Sequence, residues 1–195
     1  MQSMMLRSFI AVEVPAEVQN AIARETAALR KALPKPLVRW VAPQNVHLTL
    51  KFLGDVSLAN LERLAEGLRV VTAAHQPFSM RVSRIGAFPN PHQPRVIWIG
   101  LEAPASLADL QRGVEATAAR LGYTTEKRSF SPHLTIGRVG QNLSSADQQR
   151  IRTALEAASV GALGEVRVEA LHIFKSDLRP TGSVYTCLYS LPMKS

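Results

Sequence analysis

The tripeptide His-Leu-Thr occurs twice in this chain of 195 residues, at 47–49 and at 133–135. Each copy lies in a short apolar run that predicts a β-strand. Side chains alternate between the two faces of a strand, so the His and Thr of each copy share one face and the Leu points the other way, into a core. Two imidazoles, each with a hydroxyl beside it, provide acid–base and hydrogen-bonding groups that suit a phosphate. The alternative is two structural strand histidines with hydrogen-bonded threonines.

Composition is that of a globular protein, with 46% apolar and 19% charged residues. The formal charge is +8, and 17 of the 23 basic residues are Arg. The planar guanidinium suits bidentate contact with phosphate, so this balance favours an anionic partner, although scattered surface arginines would give the same count. The apolar stretch near the start is short and soon interrupted by Glu13, and no later segment approaches the length of a membrane span. We therefore expect a cytoplasmic protein with no membrane contact. We also expect it to be a monomer.

Segments with strand periodicity alternate with segments of helical periodicity along residues 1–195, which predicts a single domain of two intertwined lobes. Each lobe would contribute one His-x-Thr strand and the two would be related by a pseudo-two-fold axis. A helical stripe runs from Pro15 to Pro34, and the first motif strand should end at Gly54. The sequence at 145–148 fits a capping box at the start of the last helix.

With these residues in view, the chain resembles the 2H phosphoesterase superfamily, which is defined by two H-x-T-x motifs with apolar x. Residues 47–50 (His-Leu-Thr-Leu) and 133–136 (His-Leu-Thr-Ile) satisfy that pattern. Within the superfamily it is similar to the bacterial and archaeal RNA 2′,3′-cyclic phosphodiesterases, once called 2′-5′ RNA ligases. The blocks that carry the similarity are 7–12, 39–41, 45–54, 94–100, 131–138 and 183–185. The resemblance implies a bilobal α+β fold, in which two antiparallel sheets line a central cleft, helices pack on the outside and no metal is required.

The chemistry of a cyclic phosphodiester explains the residue types in the motif. Hydrolysis needs a base to activate water and an acid to protonate the departing ribose oxygen, and histidine can supply both near neutrality. The hydroxyls of Thr49 and Thr135 can donate to non-bridging phosphate oxygens. The resemblance implies that the bond to the 3′ oxygen breaks and a 2′-phosphate remains, with His47 as proton donor and His133 as proton acceptor. The residues alone leave that order open.

Two further residues match family positions. Arg138 corresponds to a position associated with the substrate phosphate, yet strict alternation would place it on the face opposite His133, unless Gly137 marks a bulge or strand end. A surface arginine is the alternative. Phe52 could stack on a base. It alternates with Leu48 and Leu50, however, which favours core packing.

Other chemistries lack the residues they need. The single cysteine, Cys187, excludes a Cys-rich metal site, and the motifs lack the neighbouring carboxylates typical of Zn or non-haem Fe. No metal and no cofactor are therefore expected. A phosphate-binding glycine loop is absent from the sequence, so any ligase activity would be the cyclic-phosphate reaction run backwards.

Three functions remain. The first is hydrolysis of RNA 2′,3′-cyclic phosphate ends. The second is hydrolysis of a small cyclic phosphate, such as a cyclic nucleotide or ADP-ribose cyclic phosphate. The third is non-catalytic binding of RNA ends, which would be salt-sensitive but would form no product.

Overall fold

The structure, a computed structural model, describes residues 4–180 and 182–194. Within them, the strands are β1 (Met5–Glu13), β2 (Val38–Trp40), β3 (His47–Ser57), β4 (Phe78–Phe88), β5 (Val96–Glu102), β6 (His133–Val139), β7 (Gly164–Val168), β8 (Ala170–Arg179) and β9 (Gly182–Pro192). The α-helices of the same residues are α1 (Ala16–Glu25), α2 (Ala27–Ala32), α3 (Leu58–Ala73), α4 (Ala105–Arg120) and α5 (Ser145–Ala157). A 3₁₀ turn, Pro43–Asn45, leads into β3.

The strands pair in the order β7-β4-β5-β6-β3-β1-β8-β9, and β2 pairs with β6. All of these pairings are antiparallel. The order contains two sets of four strands, β7-β4-β5-β6 and β3-β1-β8-β9, which are joined through one residue pair, Leu48 with Leu134. The predicted α+β class is confirmed, and the two expected sheets are continuous with each other at this pair.

One face of the sheet is covered by the helices. A single apolar core contains strand residues such as Leu48 and Ile99 together with helix residues such as Leu64, Leu110 and Ile151. Helix α1 follows β1 in the chain but contacts β7, while α3 and α4 contact each other and β3. The motif histidines and threonines lie on the opposite face, which we call the site face.

Three local expectations were wrong. The predicted helix from Pro15 to Pro34 is two helices that are separated at Thr26 (φ −96°, ψ 4°), where the N–H and the hydroxyl of Thr26 both donate to the carbonyl of Ile22, at 3.0 Å and 2.7 Å. Strand β3 does not end at Gly54. This glycine adopts φ +73° beside a bulge and the strand continues to Ser57. The N-cap of α5 is Ser144, one residue before the predicted box.

Candidate active site

The two motifs meet at the centre of the sheet. Leu48 pairs with Leu134, and these two side chains are 1% and 0% exposed. In an antiparallel ladder this register sets His47 opposite Thr135 and Thr49 opposite His133, all on the site face. The arrangement has local two-fold symmetry, and the histidines are diagonal neighbours, for which the usual separation is about 7–8 Å. The predicted meeting of the two motifs in one site therefore has a direct basis in strand register.

Each motif histidine is held in the same orientation by the backbone. Nδ1 of His47 lies 2.8 Å from the carbonyl oxygen of Asn45, and Nδ1 of His133 lies 2.7 Å from that of Ser131. A carbonyl oxygen can only accept, so Nδ1 is the protonated nitrogen in both rings. This leaves both Nε2 atoms available to a bound molecule, as acceptor in the neutral ring and donor in the charged ring.

Asn45 and Ser131 are positioning residues that sequence reasoning missed. The side-chain amide of Asn45 donates to the carbonyl oxygen of Ser183 at 2.8 Å, which ties the turn before His47 to β9. Asn45 and Ser131 position the histidines through their main-chain carbonyl oxygens, which every residue type has. The identity of the side chain therefore could not have revealed this role. The only available indication was that each residue lies two positions before a motif histidine.

Aromatic side chains surround His47. Its ring stacks on Phe9 with centroids 4.7 Å apart, and Tyr185 contacts it edge-on at 5.2 Å. Phe9, Ala11 and Phe174 form a small buried cluster on the site face, separate from the main core. Burial lowers the pKa of His47, and the hydrogen bond to Asn45 opposes this effect only in part. The neutral imidazole is therefore favoured in the free protein.

A cavity of about 600 Å³ adjoins this aromatic cluster. Phe9, His47 and Tyr185 contribute to its wall, together with polar groups that include Glu13 and Gln19. The surroundings of His133 are different, since its one aromatic neighbour among the described residues is Phe88, which contacts it edge-on at 4.9 Å. The two histidines thus share a hydrogen-bonding pattern but not an environment.

A β-bulge determines the position of Arg138. Consecutive residues of β5 pair with Thr135 and with Gly137, which leaves Ile136 as the extra residue. A bulge of this kind reverses the alternation of faces beyond it. Arg138 therefore lies on the site face with Thr135, and its side chain is exposed. The bulge that was considered next to Gly137 is present, and the placement expected from strict alternation is wrong.

A second bulge occupies the corresponding place in β3. Consecutive residues of β1 pair with Thr49 and with Lys51, so Leu50 is the extra residue. Phe52 accordingly returns to the site face, where it is 68% exposed, with its ring centroid 6.1 Å from that of Phe9. The expectation that Phe52 packs in the core was wrong. Strict alternation of side chains, which ignores the extra residue Leu50, assigns Phe52 to the wrong face of the sheet.

The two bulges are equivalent, since each follows the threonine of its motif. Each returns to the site face the residue five positions after the histidine, which is Phe52 in one strand and Arg138 in the other. The site face thus carries an exposed aromatic ring beyond one motif and an exposed guanidinium beyond the other.

No group of three or more His, Cys, Asp or Glu side chains in residues 4–180 and 182–194 is arranged to hold a metal ion. In the same part of the chain, no helix is long and apolar enough to cross a membrane.

Comparison with known proteins agrees with this geometry. The model of the LigT-like phosphoesterase family matches twice, at residues 12–98 and 99–185, so that each match contains one His-Leu-Thr. The chain is 33% identical over 183 residues to the RNA 2′,3′-cyclic phosphodiesterase of Methanothermobacter thermautotrophicus, covering 94% of this chain and 96% of that protein.

Solved structures show the same likeness. A protein of Thermus thermophilus superposes with a TM-score of 0.74 at 30% identity, covering 96% of this chain and 98% of its own. Escherichia coli LigT in its apo form superposes with a TM-score of 0.75 at 27% identity, covering 99% and 100%. The family expected from the two motifs is thereby confirmed: the chain belongs to the LigT-like phosphoesterases of the 2H superfamily.

Proposed function

We propose that this protein hydrolyses the 2′,3′-cyclic phosphate at the end of an RNA to a 2′-phosphomonoester, with no metal or cofactor. The observation that chiefly supports the proposal is the diagonal pair of imidazoles on one face, each with Nδ1 bonded to a carbonyl and Nε2 left for the substrate. The name of the Methanothermobacter relative, RNA 2′,3′-cyclic phosphodiesterase, supports the choice of substrate. Both imidazoles come from one chain, so a monomer would suffice.

The proposed reaction places the phosphorus between the two Nε2 atoms. Nε2 of His133 accepts a proton from a water molecule, and the water oxygen forms a bond to phosphorus. The bond from phosphorus to the 3′ oxygen breaks on the opposite side. Nε2 of His47 donates its proton to that oxygen, which leaves a 3′ hydroxyl and a 2′-phosphate. One water is consumed, one proton passes from that water to His133, and one proton passes from His47 to the 3′ oxygen.

The lowered pKa of His47 is compatible with its proposed role as the acid. The ring is favoured as neutral in the free protein because it is buried. A bound phosphodiester brings a negative charge next to the ring, and a neighbouring opposite charge favours the protonated form. Binding of the anion would therefore charge the donor in the complex, where it is needed.

The remaining contacts follow from the site face. Thr49 and Thr135 would donate hydroxyl protons to the non-bridging oxygens, where negative charge develops. Arg138 would neutralise the phosphate through its planar guanidinium. Phe52 would offer a surface on which the terminal base can stack.

The proposal is tested with an oligoribonucleotide that ends in a 2′,3′-cyclic phosphate, incubated with the protein in EDTA and followed by separation of the 2′- and 3′-phosphate products. We expect the 2′-phosphate. His47→Ala and His133→Ala should each lower kcat by about 10²- to 10⁴-fold, the usual contribution of a positioned acid or base.

His75→Ala is the matched control. Nδ1 of His75 also lies 2.8 Å from a main-chain carbonyl, that of Val71, but at the end of α3 and outside the site. Persistence of the cyclic end with folded wild-type protein would overturn the proposal. A motif variant that retains turnover within about twofold of the His75→Ala control would remove that histidine from the reaction.

A further inference from the structure

Arg39 and Arg138 face each other across two neighbouring strands. They are direct partners in the antiparallel pairing of β2 with β6. Direct partners in a sheet share a face, and the bulge at Ile136 puts Arg138 on the site face, so Arg39 lies there as well. Both side chains are exposed.

This pair is electrostatically unfavourable in the free protein. Like charges directly opposite each other destabilise a sheet. Among the described residues, no carboxylate oxygen lies within 4.0 Å of either guanidinium. An anion bound between the two would remove the repulsion, and the guanidinium geometry matches phosphate oxygens.

The pair also lies in line with the reacting groups. On one flank of β6, β3 pairs at Leu134 and β2 takes its place from Gly137 onwards. Arg39 and Arg138 therefore continue the row formed by the motif residues, beyond Thr135. Arg138 is three positions after Thr135 in the chain, which corresponds to at most about 10 Å along a strand.

The number of positive charges exceeds what one cyclic phosphate requires. A cyclic phosphodiester carries a single negative charge, and the proposed reaction already sets a protonated imidazole and Arg138 against it. As direct partners, Arg39 and Arg138 lie at the same level along this row, so Arg39 places a second guanidinium beside that of Arg138. A second phosphate, one nucleotide away from the cyclic end, would account for it.

We propose that Arg39, together with Arg138, binds the phosphodiester that links the terminal nucleotide to the one before it. This inference rests on the proposed function and deepens it. It makes Arg39 a specificity residue that favours an RNA chain over a cyclic mononucleotide, whereas Arg138 serves both phosphates.

The test compares kcat/KM for a nucleoside 2′,3′-cyclic monophosphate with that for a tetranucleotide carrying the same cyclic end. Arg39→Gln should lower the ratio of tetranucleotide to mononucleotide by about tenfold or more, as expected from loss of a charge-assisted hydrogen bond. Arg39→Lys should retain part of the ratio, and Arg138→Gln should reduce both rates. The salt dependence of the tetranucleotide rate should be less steep in Arg39→Gln.

Arg63→Gln is the matched control, because it removes the same charge from an exposed position on α3. A ratio within about twofold of this control, or an equal fall for both substrates, would overturn the role of Arg39 while leaving the hydrolysis intact. If wild-type protein cleaves neither substrate, the proposed function fails instead. Fluorescence anisotropy of the labelled tetranucleotide then tests the role of Arg39 by itself. Weaker binding by Arg39→Gln than by Arg63→Gln supports a contact between Arg39 and the RNA, and equal binding refutes that contact.

Discussion

A buried ion pair beside the first motif gives a sharp stability prediction. Lys51 Nζ lies 2.7 Å from Glu115 Oε2, and the two side chains are 4% and 12% exposed. Nζ also donates to the carbonyl oxygen of Thr124 at 2.9 Å. Lys51 thus connects β3, four residues after His47, to α4 and to the segment that precedes β6.

The expected cost depends on which partner is removed. Glu115→Gln leaves an ammonium with little access to water, and breaking a buried pair in this way costs about 3–5 kcal/mol. This is a large part of the ~5–15 kcal/mol that stabilises a typical protein. At ~2–4 °C per kcal/mol for a chain of this size, Tm should fall by about 6–20 °C.

Removing both charges should cost less than removing one. In Lys51→Met the methylene packing is kept, and the Glu115 carboxylate still accepts from the side chain of Gln111 and from the N–H of Glu126, each at 3.4 Å. The double variant Lys51→Met/Glu115→Leu leaves no charge to desolvate. It should therefore recover at least half of the stability that Glu115→Gln loses.

Urea unfolding followed by circular dichroism measures the three free energies of unfolding. The reasoning fails if Glu115→Gln loses less than about 1 kcal/mol, since that is the value of a solvent-exposed pair. It also fails if the double variant is no more stable than Glu115→Gln. In that case packing of the glutamate, rather than compensation of the Lys51 charge, would account for the loss.

Two other predictions concern stability. In Gly137→Ala the new Cβ would lie 2.9 Å from the ring of Trp40, so thermal unfolding should show that the free energy of unfolding falls by about 1–3 kcal/mol. Gly161→Ala is the control and should be neutral, because its new Cβ would have no atom within 4 Å. Equal losses in the two variants would contradict the packing argument. Burial lowers the pKa values of His47 and His172, so the unfolded chain binds more protons as pH falls below about 6.5, and stability should decrease from there towards the lowered pKa values. The drop in urea midpoint between about pH 8 and pH 5.5 should be smaller in His47→Gln/His172→Gln than in wild type; equal drops would exclude these two groups as the cause.

The sequence was sufficient for features that depend on local periodicity. Leu48 and Leu134 were expected in the core and are buried. The His and Thr on either side of each leucine share the other face. These predictions succeeded because the strand repeat of two residues holds across each tripeptide.

Features that depend on the partner strand were not accessible. Whether Leu50 or Ile136 is an extra residue is determined by the pairing of β3 with β1 and of β6 with β5, and those strands are distant in sequence. Phe52 and Arg138 both lie beyond a bulge, so simple alternation gave the wrong face for both. The burial of Lys51 has the same cause, since the bulge turns it towards the core, where Glu115 is its partner.

The symmetry of the motif and the asymmetry around it have separate consequences for the proposed reaction. The shared tripeptide, the shared carbonyl contact at Nδ1 and the shared bulge give two equivalently held imidazoles, which in the proposed reaction would transfer protons on opposite sides of one phosphorus atom. Beyond the bulges the two strands differ, with the ring of Phe52 on one and the guanidinium of Arg138 on the other. A nucleotide presents the same two chemistries, a flat base and an anionic phosphate. An RNA end bound between the strands would therefore have one preferred orientation, and that orientation would determine which ribose oxygen lies next to His47 and departs.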